Sequence, residues 1–360
     1  MKILHIACIN NSKFSGVCVV VPEHIKAQKQ IADVGFINIT GLRIEGIEEQ
    51  FDFSGSIKSS VESITNAFCP DIVIFHEAYR FPYLKISREL RKKRIPYVII
   101  PHGELNNEAQ KKKWIKKWCA NLLLFNKFIN SAAAIQCLSE RELQSTKFGK
   151  HRFIGTNGIN APILTKTSFN TDKTIFVYIG RLDPYHKGLD LMIDAINREA
   201  VFLRDNNCEF NLYGPDSSGG YQTITELIHN ANVEDIVHLH KAVVGKEKER
   251  ILLDSDVFIQ TSRFEGMPMG ILEAMSYGLP CFVTNGTTLG DFVHNNCAGW
   301  NVETDAENIA RGLVSAIENI DKLSFLSKNS IESVRKTFAW DIVSKDTVAT
   351  YRAILSLEEN

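Results

Sequence analysis

The stretch TIFVYIGRLDPYHKGLDLMIDAINR, residues 174–198, compresses a whole structural unit into one line. An apolar run ends at Gly180, a charged loop follows with Arg181, Asp183, His186 and Lys187, and a helical pattern starts near Gly188. A strand that is apolar along its length, not alternating, is covered on both faces, which is the mark of a parallel sheet with helical crossovers. Working outward, the same order of run, loop and helix recurs at KILHIACI, DIVIFH, YVIIPHG, AAIQCLS, EFNLYG, VHLH, VFIQTS and CFVTN. The class is therefore α/β, and ligands are expected beyond the carboxyl ends of the strands.

A chain of 360 residues suits two domains better than one core. The stretch HRFIGTNGINAPILTKTSFNTDKT, rich in Gly, Asn, Thr and Ser, reads as the linker between them. The closing TFAWDIVSKDTVATYRAIL has helical spacing and reads as one helix or a kinked pair. The net charge of -1 gives no global pull toward nucleic acid, so anion binding must come from local clusters. The eight cysteines include no C-x-x-C pair and read as small core residues, so no metal site is expected. The start, MKILHIACIN, lacks the features of a secretion signal and reads as a first buried strand, which points to the cytoplasm.

Candidate site residues follow the apolar runs. His102 and Gly103 come after YVIIP, Gly180, Arg181 and Lys187 after IFVYI, and Ser262, Arg263 and Glu265 after VFIQT. The loop after the first run ends in Ser15 and Gly16. A guanidinium fork, an ammonium and helix amides together neutralise a diphosphate; surface pairing of Arg181 or Lys187 with Asp183 or Asp190 is the plainer alternative. SRFEGMPMGILEAMSYGLP, residues 262–280, reads as a helix with Pro268 near its start and Gly278 at its end. It carries Glu273 in its first turn and Glu265 in the loop before it. These two carboxylates are either an ordinary loop charge and a first-turn acid or the flanks of an anion cradle for a nucleotide sugar. A separate segment places Lys111, Lys112, Lys113, Lys116 and Lys117 among Trp114 and Trp118. It reads as a core-facing helix with a basic flank or as an interfacial helix on anionic lipid at the inner face of the plasma membrane.

PHGELN, TNGIN, GRLDPYHKGLDLMIDA, the Glu265 to Glu273 motif and FAWDIVSKDTVATYRAIL occur in one order. In this they resemble the retaining GT-B glycosyltransferases of the glycogen-synthase-like and bacterial group 1 class, glycosyltransferase family 4. The resemblance spans nearly the whole chain and is densest from 174 to 300. It implies two Rossmann-like parallel-sheet domains facing across a cleft. Residues 1–165, with a helix at about 341–360 packing back, would bind acceptor, and 166–340 would bind the nucleotide-sugar donor. Arg181 and Lys187 would hold the diphosphate, Glu273 the ribose and Glu265 the transferred sugar. The backbone amides from Met267 to Ile271, a run that follows Gly266 and includes Pro268, Met269 and Gly270, would support sugar and phosphate. His102 would hydrogen-bond the sugar, and Gly16, beside Ser15 where many relatives have a second glycine, would let backbone approach phosphate. Base recognition would fall around Tyr213 to Pro215, including Gly214, and His238 to Val243. The implied reaction is retaining transfer, with no metal or other cofactor, from a UDP-sugar or GDP-sugar to a glycan or polyprenyl-diphosphate-linked acceptor. Surface-polysaccharide assembly, such as O-antigen or capsule, would be its setting.

Other classes fit less well. A glycosidase pair has no use for a diphosphate cradle, and no G-x-G-x-x-G or P-loop motif is present. A nucleotide-sugar epimerase, a polysaccharide phosphorylase and a non-catalytic sugar-nucleotide binder share the cleft; no sequence around a lysine resembles a pyridoxal phosphate site.

Overall fold

The unalternating apolar runs form two sheets in which every recorded strand pair is parallel, in a computed structural model that describes residues 1–53, 56–106, 110, 124–169 and 172–358. The chain divides into two units, Met1–Gly158 with Trp340–Asn360, and Ile159–Ala339.

In the first unit the strands are β1 (Lys2–Ala7), β2 (Asp33–Asn38), β3 (Gln50–Phe51), β4 (Ile72–His76), β5 (Tyr97–Ile100), β6 (Ala134–Cys137) and β7 (Arg152–Ile154), in the order β3-β2-β1-β4-β5-β6-β7. The second unit has β8 (Thr174–Ile179), β9 (Cys208–Tyr213), β10 (Val237–His240), β11 (Val257–Gln260), β12 (Cys281–Thr284) and β13 (Gly299–Val302), in the order β10-β9-β8-β11-β12-β13. Each order reverses once, between β1 and β4 and between β8 and β11. Those reversals are the switch points where doubly wound sheets open a crevice.

Strands β2, β3, β7 and β13 escape the sequence reading. β2 contains Gly35, where a Cβ would come within 2.5 Å of the Phe51 ring, and a glycine inside a short run weakens a strand signal. β7 and β13 are edge strands with few buried residues, and β7 lies inside the stretch read as linker.

The unit boundary falls at 158/159, where the sequence reading put it at 165/166. The reason is local packing. Ile159 N–H donates to Phe338 O at 2.7 Å, and Lys166 N–H to Tyr277 O at 2.8 Å. The buried Lys166 ammonium also lies 3.3 Å from Asp256. On the other side, Gly158 lies flat on the Trp340 indole, where a Cβ would come within 2.3 Å of the ring. Trp340 opens the terminal helix Trp340–Glu358, whose Tyr351 is fully buried in the first unit.

The segment with Lys111, Lys112, Lys113, Trp114, Lys116, Lys117 and Trp118 lies outside the described residues. Among those described, no helix is long and apolar enough to cross a membrane.

Candidate active site

At the switch point of the second sheet, β8 and β11 pair only through Val257↔Phe176 and Phe258↔Val177, while β8 stays with β9 as far as Ile179↔Tyr213. The loops after β8 and β11 leave the sheet beside this break. The Tyr178 hydroxyl donates to Arg181 O at 2.8 Å and braces the first loop. Gly188, with φ +62, starts the helix Leu189–Arg198; a Cβ there would sit 2.0 Å from Thr261 O, so only glycine fits. Thr261 Oγ1 closes the seam by donating to Gly188 O at 2.8 Å. A second crossing is as tight, since a Cβ on Gly214 would meet Gly180 O at 1.8 Å.

Lys187 Nζ pairs with Glu265 Oε1 at 2.6 Å, with both side chains largely buried. The same oxygen accepts from Ser262 Oγ at 2.7 Å and Gln260 Nε2 at 3.0 Å. Three groups thus converge on one oxygen of Glu265, while Oε2 has no recorded hydrogen bond among the described residues. Burial opposes ionisation of Glu265, but the Lys187 charge and hydrogen bond and the Ser262 hydroxyl outweigh it, and the carboxyl titrates below its ordinary range. Arg181 is exposed, has no carboxylate partner among the described residues, and approaches His186 Nδ1 at 3.4 Å. The alternative of surface pairing with Asp183 or Asp190 does not form. Asp190 receives both Arg263 nitrogens at 2.6 and 2.8 Å, and Asp183 accepts the His186 N–H at 3.0 Å. Arg263 also lies 4.3 Å over the Tyr185 ring, tying the two loops together. An unneutralised guanidinium beside a fixed ammonium–carboxylate pair and helix amides is a set that receives an anion.

The helix Met269–Tyr277 ends at Gly278 in the left-handed conformation. Two expectations here need correction. Pro268 is the N-cap residue and Met269 the first helical one, so Glu273 sits in the second turn and not the first. There it forms an ion pair with Lys248, on the helix Gly245–Asp254. The amides of 267–271 are also not all available: proline has no N–H, and Ile271 N–H already donates to Pro268 O at 3.1 Å. Met267, Met269 and Gly270 keep theirs free of partners among the described residues, and Gly266 O accepts from Thr288 Oγ1 at 3.0 Å. The Met267 and Met269 side chains pack on the apolar cluster of this unit. Beside Gly214, the Tyr213 ring stacks on His240 at 4.4 Å, giving the stretch assigned to base recognition a flat aromatic surface.

In the first unit the loop after β1 ends at Ser15, the N-cap residue of the helix Gly16–Gln28, whose side chain makes no capping bond. Nothing lies within 4 Å of where a Gly16 Cβ would be, so the protein's own packing does not require glycine there. His102 follows β5 with φ 48, an uncommon conformation for a non-glycine residue. Two carboxylates hold it there. Glu142 accepts from Gly103 N–H at 2.8 Å and Leu138 N–H at 2.7 Å, and Glu104 from Ala78 N–H at 2.6 Å. Burial pushes the His102 imidazolium down to about 4.

Sequence reasoning missed His186, Gln260 and Lys248, all in or beside quoted motifs, because a polar residue near a strand end does not announce its partner. It also missed His5, His24 and His76; for His5 and His76 a signal was available, a histidine within an apolar run.

Residues 162–333 match the family model described as glycosyl transferases group 1. The matched stretch is just under half of this chain and carries Arg181, Lys187, Glu265 and Glu273. A UDP-Gal:alpha-D-GlcNAc-diphosphoundecaprenol alpha-1,3-galactosyltransferase of Escherichia coli is 31% identical over 163 residues, covering 43% of this chain and 39% of that relative. The chain spans less than half the length of the curated relatives it matches, at 46%, 42% and 39% for three of them. Among solved structures, sucrose-phosphate synthase from Thermosynechococcus elongatus superposes with a TM-score of 0.74 at 14% identity, over 99% of this chain and 100% of that one. HepE of Anabaena, in complex with UDP and glucose, gives 0.72 at 17% identity, over 98% and 100%. These likenesses give the chain the GT-B fold.

Proposed function

We propose that the protein is a retaining, metal-independent glycosyltransferase of family 4 that takes a sugar from a nucleoside diphosphate sugar, with uridine the favoured base. The observation that carries this reading is Arg181, a guanidinium without a carboxylate beside the Lys187–Glu265 pair at the switch point of the second sheet. Arg181 and Lys187 take the diphosphate, and Glu265 Oε2 takes a hydroxyl of the sugar. Glu273 accepts from the ribose after exchanging part of its contact with Lys248. As the bond from the anomeric carbon to the phosphate oxygen breaks, negative charge grows on the departing diphosphate, and fixed cations and helix amides stabilise it most at that point. The acceptor oxygen bonds to the same face of that carbon, and its proton passes to the leaving phosphate. His102 acts on the sugar side, and the open space at Gly16 suits close approach of backbone to phosphate.

The acceptor in this reading is a glycan or polyprenyl-diphosphate-linked sugar of bacterial surface polysaccharide, an assignment supported by the acceptor of the Escherichia coli relative, a diphosphoundecaprenol-linked GlcNAc. The Lys and Trp segment at 111–118 would then rest on anionic lipid at the inner membrane face. Replacing its five lysines by Gln is expected to abolish sedimentation with anionic vesicles and leave nucleotide binding intact; unchanged sedimentation contradicts the lipid role.

Thermal unfolding with UDP, GDP, ADP and CMP tests the donor site. One diphosphate should raise the melting temperature of the wild type and fail to do so in Arg181→Ala. Stabilisation by none of the four, with or without magnesium, contradicts the reading.

A further inference from the structure

A cavity of about 560 Å³ opens at the amino-terminal ends of β5, β6 and β7, wholly within the first unit. Because these strands are parallel, it lies on the opposite edge of the sheet from His102, which follows the carboxyl end of β5. Its volume falls in the range of about 300–1,000 Å³ common to small-molecule sites. Tyr97, which opens β5, lines it together with Asn130, Arg91, Arg94, Lys150 and His151. The lining includes the cations Arg91, Arg94 and Lys150 and no carboxylate. No ion pair to any of these cations is recorded among the described residues.

The walls hold this charge in place. The helix Phe81–Lys92 ends in a Schellman turn, in which Ile95 N–H donates to Leu90 O at 3.0 Å and Arg94 N–H to Arg91 O at 3.1 Å. Arg94 occupies the left-handed position of that turn, φ 56, where glycine is the usual residue. A cation at a helix end commonly answers the orphan carbonyls and the dipole. Here the amides of Arg94 and Ile95 already reach carbonyls of the last turn, so the turn itself does not require an arginine, and glycine would form it with less strain. Arg91 is steadied by hydroxyls, its Nη1 lying 3.4 Å from Tyr97 Oη and 3.5 Å from Ser87 Oγ. The Tyr97 hydroxyl is fixed in turn by donating to Phe128 O at 2.6 Å. On the far wall Gly149 N–H donates to Asn130 Oδ1 at 3.2 Å, which ties down the turn that carries Lys150 and His151.

We propose that this cavity binds the phosphate end of a small soluble phosphorylated molecule, at a site separate from the one that holds the nucleotide sugar. Like charges gathered in one concavity repel unless an anion stands among them, and guanidinium forks match phosphate oxygens in pairs. Arg91 and Arg94 take the phosphate, and Lys150 adds a point charge from the opposite wall. Asn130 and His151 are left for the polar remainder of the molecule. The assignment does not rest on glycosyl transfer, since none of these residues belongs to the donor site.

The test is calorimetric titration with inorganic pyrophosphate of Arg181→Ala, which removes the guanidinium assigned to the donor diphosphate, and of the same protein carrying Arg94→Gly as well. Glycine suits the left-handed position, so the second substitution is expected to preserve the fold. Arg181→Ala is expected to bind pyrophosphate, with affinity about 10–100-fold lower in the double variant. Equal affinity in the two proteins, or no binding to Arg181→Ala, overturns the proposal. Sedimentation with vesicles containing phosphatidic acid separates a soluble ligand from a lipid headgroup. Sedimentation that Arg94→Gly abolishes, in a protein that does not bind pyrophosphate, would assign the cavity to lipid and overturn the soluble ligand. If only the donor reading fails, UDP does not stabilise the wild type, yet the pyrophosphate binding that depends on Arg94 remains.

Discussion

The two sheets reverse their strand order in the same way, yet the side chains at the two switch points have opposite character. Beside β8 and β11 the groups are charged and fixed by one another: Lys187 on Glu265, Arg263 on Asp190, and Arg181 left over. Beside β1 and β4 the groups are imidazoles, His5 on His76, which in turn meets His102 after β5, and burial lowers all three. The same topology thus gathers charged groups in one unit and neutral imidazoles in the other. Fold positions the loops; the residues that leave the strands decide the chemistry.

The sharpest way to break the comparison is Lys187→Ala. It removes a cation from the site and strands Glu265 in a buried position, so stability should fall by about 3–5 kcal/mol, read from the urea midpoint. The transfer rate should fall about 10²–10³-fold. Arg181→Ala separates the two effects. Its side chain is exposed and unpaired, so stability should stay within about 0.5 kcal/mol of wild type, while diphosphate binding is lost; a large drop in stability would mean that Arg181 is structural.

Acid sharpens the contrast between the units. His5 and His102 have folded values near 4 against 6.5 unfolded. The unfolded chain therefore binds more protons between those limits, and stability falls as pH drops from 6.5 toward 4. Burial raises Glu104 and Glu142, which act in the opposite sense and soften the slope. In the second unit the lowered Glu265 gives stability that is present above the ordinary carboxylate range and lost only as pH falls through its folded value. His186 and His240 in the second unit are also lowered by burial, so both units weaken on acidification. Scanning calorimetry against pH should show the larger loss in the first unit, where four buried histidines are lowered; a larger loss in the second unit contradicts the assignment. The smallest effect is expected from Asp190→Asn. It frees Arg263 from a partly exposed pair and should cost about 1 kcal/mol or less, with a modest loss of diphosphate affinity as the loops loosen.

Much of this was legible in the sequence, but unevenly. Unbroken apolar runs announced the parallel sheets, and the positions of Arg181, Lys187 and Glu265 after their strands announced a site. Strand β2 was hidden by Gly35, and β7 by a linker-like composition, because edge and glycine-bearing strands owe their existence to partners distant in the chain. The pairings were less legible still. Lys187 lies close to Asp183 and Asp190 in sequence, yet its partner is Glu265, brought near by the β11 loop. Nothing local ties Tyr351 to Gln136, since their 2.6 Å hydrogen bond exists only because the terminal helix returns to the first unit.

The most direct test of the account is calorimetric titration of the wild type with UDP and with uridine, without metal, repeated on Arg181→Ala. The account predicts that UDP binds much more tightly than uridine to the wild type and that most of this advantage disappears in the variant. Equal binding of UDP and uridine, or an advantage that survives the loss of Arg181, would contradict a diphosphate site at the β8–β11 switch point.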